Sequence, residues 1–369
     1  MRRFSFILPL LLLFLGQNCQ KQEDPKPRTL PDPTIRMHLI EDAVNGQEIL
    51  LIGSSVCQFI TAFNKPSGPG QVVEYRAVQD KLPVVLADSD GNSYDVWGEI
   101  VTGPNKGLRL EPANYMTAYW FAWGAFYPGC DLYGRPGIDA PSLPPGNNGW
   151  LIPYSRLALG ALPGAIPSID APMYLDRVIE HMPYLDDTTL CLVLKAGKEI
   201  FVYPHPVLEW HEIVNERQAG LPFSVMYCPL TGSGNVWLRE QNGQEMFFEV
   251  SGLLYNGNLI VKERNSESYW SQMRQEAVAG PQIGSKPSAV QVLEMPLSTV
   301  NKMFSRYKLL SDDTGYRYDY GNFPCGDYCT NDDNIIYSLF FDDPRLPRKE
   351  RTFGVIVGGE AKVYRASDF

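Results

Sequence analysis

Ile40 to Phe63 reads I-E-D-A-V-N-G-Q-E-I-L-L-I-G-S-S-V-C-Q-F-I-T-A-F, and Val214 to Trp237 reads V-N-E-R-Q-A-G-L-P-F-S-V-M-Y-C-P-L-T-G-S-G-N-V-W. Set against one another at a constant offset of 174, the two are versions of one segment. Asp42 meets Glu216, Gly46 meets Gly220, and the apolar run Ile49–Ile52 meets Phe223–Met226. A polar stretch, a Gly turn and a short apolar run predict paired strands. A period this long means duplication of a whole domain rather than a solenoid of small units.

Outward from this pair the echo continues. Asp88 to Gly107 and Arg264 to Gly284 each carry S-Y near the start and G-P-x-x-G at the end. Each then passes into an apolar segment of helical period, Tyr119 to Tyr127 in one copy and Leu297 to Tyr307 in the other. Cys191 to Tyr203 alternates around a Gly turn and predicts a β-hairpin, as does Phe353 to Tyr364 at the end of the sequence. The first hairpin precedes the second repeat, whereas nothing like it precedes the first. A permuted order explains this: the last hairpin completes the N-terminal half, which also spares it two exposed edges.

The expected fold class is therefore β-rich α+β, with two duplicated sheet halves related by a pseudo-two-fold. The divisions are a leader (1–18), a tether (19–37), a first half (38–134), a connector (135–189), a second half (190–311), an irregular insert (312–350) and the displaced hairpin (351–369). The composition agrees: 32 glycines, 30 prolines and 12% aromatics suit many turns between short aromatic-rich strands.

The leader places the protein. Met1-Arg-Arg, an apolar stretch of about a dozen residues and Cys19 form an export signal, too short for a spanning helix of about 20 residues. Cys19 sits where a lipoprotein signal carries its acylated cysteine, and a polar, proline-rich tether follows. The expectation is a cell-envelope lipoprotein held to a membrane by lipid on Cys19, with the membrane face left open. A formal charge of −10 with no basic cluster excludes nucleic acid as a partner. Outside the cytoplasm the remaining cysteines are free to pair, and Cys325 and Cys329 are close enough for a local disulfide.

At Trp210-His-Glu-Ile-Val-Asn215, Tyr227-Cys-Pro-Leu-Thr-Gly232, Ser251 to Ile260, Ser268 to Gln272 and Ala279-Gly-Pro281, the chain resembles domain-of-unknown-function family 3179. Gly164 to Asp170 looks like that family's entry segment, so these motifs span about 160 to 310, and the first half and final hairpin look like the family's second half moved in front. The resemblance implies an architecture and candidate residues but no reaction. Members often carry Y-C-P-L-C-G; Thr231 here replaces the second cysteine, so a dithiol cycle with Cys228 is not available.

Cys228 stands at the end of an apolar strand, where loops are free to specialise. If the strand before it pairs, His211 approaches it. That would give a Cys/His nucleophile, with Glu212 to orient the imidazole, or two soft ligands for copper or zinc, with Met226 near to complete the shell. The competing reading is a packed cysteine and a hydrogen-bonded core histidine. The first half has Ser54 and Met37 at the matching places. Asn256, Ser271 and Gln272 either line a pocket for a small polar ligand or satisfy loop backbone. The aromatic run Tyr119–Tyr127 reads as core rather than a sugar platform. No P-loop, dinucleotide fingerprint, H-E-x-x-H or G-x-S-x-G occurs. The favoured function is binding of an unknown small ligand near the Cys228 loop or between the halves. The alternative is a thiol- or metal-dependent envelope enzyme.

Overall fold

The computed structural model describes residues 35–66, 73–176, 182–241 and 243–369. The leader, Cys19 and the tether as far as residue 34 lie outside the described residues. The first half opens with a meander, β1 (His38–Val44), β2 (Gln47–Ser54) and β3 (Phe59–Asn64). A second meander follows in β4 (Tyr75–Ala77), β5 (Val84–Asp88), β6 (Ser93–Asp95) and β7 (Ile100–Thr102). Then come β8 (Tyr115–Tyr119), helix α1 (Trp120–Phe126) and the short β9 (Asp131–Leu132). Two strands of the connector, β10 (Leu157–Leu159) and β11 (Tyr174–Asp176), add edges to the second half's sheets. The connector thus contributes strands to that half's sheets.

The second half begins with the hairpin β12 (Leu190–Ala196) and β13 (Glu199–Pro204), followed by helix α2 (His205–His211). Its first meander is β14 (Ile213–Gln218), β15 (Leu221–Cys228) and β16 (Ser233–Leu238). After the small ribbon β17 (Glu240–Gln241) and β18 (Gln244–Glu245) comes the second meander. It runs through β19 (Phe248–Tyr255), β20 (Asn258–Glu263), β21 (Tyr269–Ser271) and β22 (Glu276–Ala279). Short β23 (Ala289–Val290), β24 (Leu293–Pro296), helix α3 (Leu297–Met303) and β25 (Lys308–Leu310) complete it. The chain closes with the hairpin β26 (Arg351–Val357) and β27 (Glu360–Arg365). The architecture is β-rich α+β.

The pairings repeat in register. Ser54 lies opposite Phe59 in β2–β3, and Cys228 opposite Ser233 in β15–β16, the same positions displaced by 174. Both first turns have two central residues at positive φ: Asn45 at 44° and Gly46 at 78°, Ala219 at 50° and Gly220 at 81°. Such turns match the right-handed twist of the strands they join. The last hairpin pairs through β26 with β8 and, in parallel, through β27 with β9. This repeats β12 with β24 and β13 with β25. The hairpin also packs on β1–β3: Phe353, Val355 and Tyr364 share a buried cluster with Ile40, Ile49 and Leu51. A tyrosine–carboxylate contact fastens each hairpin to its meander, Tyr364 to Asp42 at 2.9 Å and Tyr203 to Glu216. The hairpin at the end of the chain thus pairs with β8 and β9 and packs on β1–β3.

The halves are not separate bodies. Gly234 of β16 pairs with Thr117 of β8, which makes one sheet of strands from both halves. The largest core cluster mixes Leu50, Ile52 and Phe63 with Leu192, Val202 and Leu309. All seven residues of α1 are buried, and Trp120 donates its indole N–H to Asp343 O at 2.9 Å under the 312–350 insert. That places the aromatic run in the core.

Candidate functional site

The geometry starts at α2. Its sequence, H-P-V-L-E-W-H, has Pro206 in the first turn, where a missing N–H costs nothing, and Val207 and Leu208 facing the core. The helix ends at Glu212, which takes a left-handed conformation at φ 57°. A non-glycine residue there is strained and holds only because its surroundings fix it. The Glu212 carbonyl still accepts from Tyr227 N–H at 2.8 Å, so pairing runs up to the bend. Beyond it, the left-handed residue carries His211 out of the sheet and onto a helix.

With this bend, the candidates Cys228 and His211 are engaged with different partners. His211 Nδ1 lies 2.7 Å from Pro167 O and Nε2 lies 2.7 Å from the Tyr320 hydroxyl. The carbonyl accepts only, so Nδ1 carries the proton and Nε2 accepts from the tyrosine. Burial lowers its pKa, so the ring stays neutral. Tyr316, Tyr318 and Tyr320 surround it, which makes His211 an anchor for the insert. Cys228 sits in an apolar cluster with Met226, Leu230 and Trp237, its sulfur 3.8 Å from Gly257 O. Burial, then the nearby Glu212, push its thiol up to about 11. A thiol so held is a poor nucleophile near neutral pH. Among the described residues, no group of three or more His, Cys, Asp or Glu is arranged to hold a metal ion. Glu212 does not orient His211, whose two nitrogens are both engaged elsewhere.

The three polar candidates lie in the protein interior. Gln272 ties the strands together: its Oε1 accepts from Ser233 Oγ and from Asn258 Nδ2, each at 2.7 Å, and its Nε2 donates to Ser233 O at 3.0 Å. Asn256 donates to Ala125 O at 3.1 Å and accepts from Phe340 N–H at 2.9 Å, fixing α1 and the insert. Ser271 is fully buried, and its hydroxyl has no hydrogen-bond partner among the described residues. Cys325 and Cys329 are free, partly exposed thiols, the alternative to the possible local disulfide.

The Glu212 bend does, however, open into a cavity of about 260 Å³ between α2, the Cys228 loop, β19–β20 and the insert. Ile166, Leu230, Val250, Leu253, Leu254 and Leu259 supply apolar walls, with Trp210, Tyr318 and Tyr337 as aromatic ones. Glu209, Glu212 and Cys325 also face it. Burial pushes the Glu212 carboxyl up to about 8. Burial likewise pushes Glu209 up to about 7, against the opposing pull of Arg351.

A second hollow, of about 320 Å³, lies between the halves and is lined by Ser54, Thr117, Glu294 and Arg351. Its charges close on one another, because Arg351 forms a bidentate pair with Glu294. Buried His205 stacks on Tyr227 at 4.2 Å, with Nε2 3.6 Å from Glu294 and no hydrogen bond from that nitrogen among the described residues. The sequence reading missed Glu209, His205, Glu294 and Arg351. The H-P-x-x-E-x-H spacing, with a proline placed for a first helical turn, could have found the first two.

No match is found among curated proteins or among solved structures. A family model, that of a protein of unknown function (DUF3179), matches residues 22–130 and 163–369. The match extends beyond 160–310 to the first half and the last hairpin. With the shared pairings of both halves inside the matched ranges, the chain belongs to the DUF3179 family.

Proposed function

We propose that the protein is a cell-envelope binding lipoprotein, anchored through Cys19, that holds a small and mainly apolar ligand in the cavity beside the Cys228 loop. The observation that carries this reading is the cavity itself: mostly aliphatic and aromatic walls, with a few polar groups converging on one side. That is the usual make-up of a small-molecule site. Envelope location rests on the sequence: a charged start, an apolar stretch, Cys19 and a polar tether. Among the described residues no helix is long and apolar enough to cross a membrane. Acidity argues against a nucleic-acid partner. The enzyme reading with copper, zinc or a Cys228 thiolate gains no geometric support, since Cys228 and His211 are engaged with different partners.

The test uses a neutral naphthalene reporter whose fluorescence rises in an apolar site. Wild-type protein should bind it saturably, and Ile166→Trp, which fills the cavity, should abolish the signal while leaving the unfolding midpoint within a few degrees. Equal signal from both proteins would overturn the assignment. Fatty-acid labelling of wild type but not of Cys19→Ala tests the anchor, and absence of label from both would remove it.

A further inference from the structure

We infer that the cavity beside α2 takes an amphiphilic amine, its alkyl or aryl body held by the apolar walls and its ammonium group held by Glu212 and Glu209. This rests on the binding reading above and names the chemistry of the ligand. Glu212 is 8% exposed, faces the cavity, and makes no side-chain hydrogen bond or ion pair with any described residue. Glu209, on the same wall, likewise has no such partner among them. A buried carboxyl without a partner is costly, and the cost is relieved either by keeping the proton or by gaining a cation.

The surroundings favour a cation brought by the ligand. Cys228 from β15 and Cys325 from the insert are titratable groups within electrostatic reach of Glu212. Tyr318 and Tyr337 face the same space, and no lysine, arginine or histidine lines it. Arg351 reaches Glu209 only at a distance and is already paired with Glu294. His211, next to Glu212 in the chain, is neutral and turned to Pro167 and Tyr320. Trp210 and Tyr318, stacked at 4.8 Å, add aromatic faces of the kind that attract ammonium groups. An anionic ligand would meet two carboxyls and no counter-charge. The rim is apolar as well: Leu159, Leu162 and Ile336 are 61%, 70% and 50% exposed in or beside the lining segments. Because burial holds Glu212 protonated at neutral pH, the arriving ammonium should ionise it, and its proton passes to solvent.

Titration calorimetry of the whole protein at pH 7 with octylamine, 1-octanol and octanoate decides the matter. Octylamine should bind about tenfold or more tighter than octanol, and octanoate more weakly than either. Repetition in two buffers of different ionisation enthalpy should show net proton release with the amine alone. Glu212→Gln should bring octylamine down to the octanol level and leave octanol binding intact, which also certifies the fold. Octanol binding as tightly as octylamine, or octylamine affinity indifferent to both Glu212→Gln and Glu209→Gln, would overturn the amine while leaving an apolar site. Failure of all three to bind would remove the site altogether.

Discussion

The sheets β1–β3 and β15–β16 with β14 share one register, one turn geometry and one tyrosine–carboxylate fastening, yet their surroundings differ. Where the second meander has Cys228 beneath the insert, the first has Ser54 at the edge of the hollow between the halves. Where the second has Glu212 at a left-handed bend facing a cavity, the first has exposed His38. Helix α2 follows the β12–β13 hairpin, whereas a single turn, Ala366–Asp368, follows β26–β27. Backbone pairings are thus what the two halves hold in common. The cavity is assembled from what they do not share: α2, the bend and the insert. Loops and inserts carry function because the scaffold fixes them at both ends while leaving their side chains free to vary.

The largest effect should come from the displaced hairpin. Phe353 is buried in the middle of β26, between β8 and β27, and touches Tyr115 at 4.7 Å. Phe353→Ala should cost about 3–5 kcal/mol in urea unfolding, and Leu192→Ala at the matching place in β12 a comparable amount. A loss below about 1 kcal/mol for Phe353→Ala alone would break the equivalence of the two hairpins, since such a loss is usual for surface positions.

An intermediate effect belongs to Glu212. Its folded-state pKa of about 8 lies above the ordinary 4.5 of the unfolded chain. From about pH 4.5 upward the unfolded chain releases a proton that the native state keeps. The contribution of Glu212 to stability should therefore fall with rising pH, by at most about 1.4 kcal/mol per unit, until the native carboxyl ionises near pH 8. Glu212→Gln should remove that slope and leave the variant more stable than wild type at pH 8. At the matching position, His38→Gln should change stability by less than about 0.5 kcal/mol at pH 7, as exposed positions do. Unfolding curves between pH 5 and pH 9 check both, and an unchanged slope in Glu212→Gln would mean that the carboxyl has a partner.

The smallest effect concerns thiols and leaves the fold untouched. Cys57, Cys130, Cys191 and Cys228 are buried, whereas Cys325 and Cys329 are partly exposed. A water-soluble thiol reagent should label the latter two in native protein and the other four only after unfolding. Rapid native labelling of Cys228 would restore the enzyme reading and weaken the contrast with Ser54.

Much of this was legible in the sequence because strand pairing depends on apolar and turn patterns that recur together in the two stretches. The 174-residue offset located β1–β3 and β14–β16, and the two Gly-turn hairpins located β12–β13 and β26–β27. The site was less legible. Extending the β14–β15 register does place His211 opposite Cys228, but a left-handed residue at Glu212 is a tertiary effect that no local propensity for Glu foretells. Asn256, Ser271 and Gln272 read either as pocket polars or as groups that satisfy loop backbone, because sequence shows polarity but not the carbonyls and hydroxyls waiting for Asn256 and Gln272 inside the core. Glu209 and Arg351 were overlooked for the converse reason: charged residues are mostly solvated, and only the packing of α2 and β26 takes these two partly out of water.

The most direct test of the account is to ask where an apolar ligand goes. A photoreactive alkyl-diazirine amine, bound at low occupancy and irradiated, marks the peptides that it touches. Label is expected on the segments around Ile166, Leu253 and Tyr337, suppressed by Ile166→Trp. Label concentrated instead around Phe59, Thr117 and Phe353, in the hollow between the halves, would contradict it.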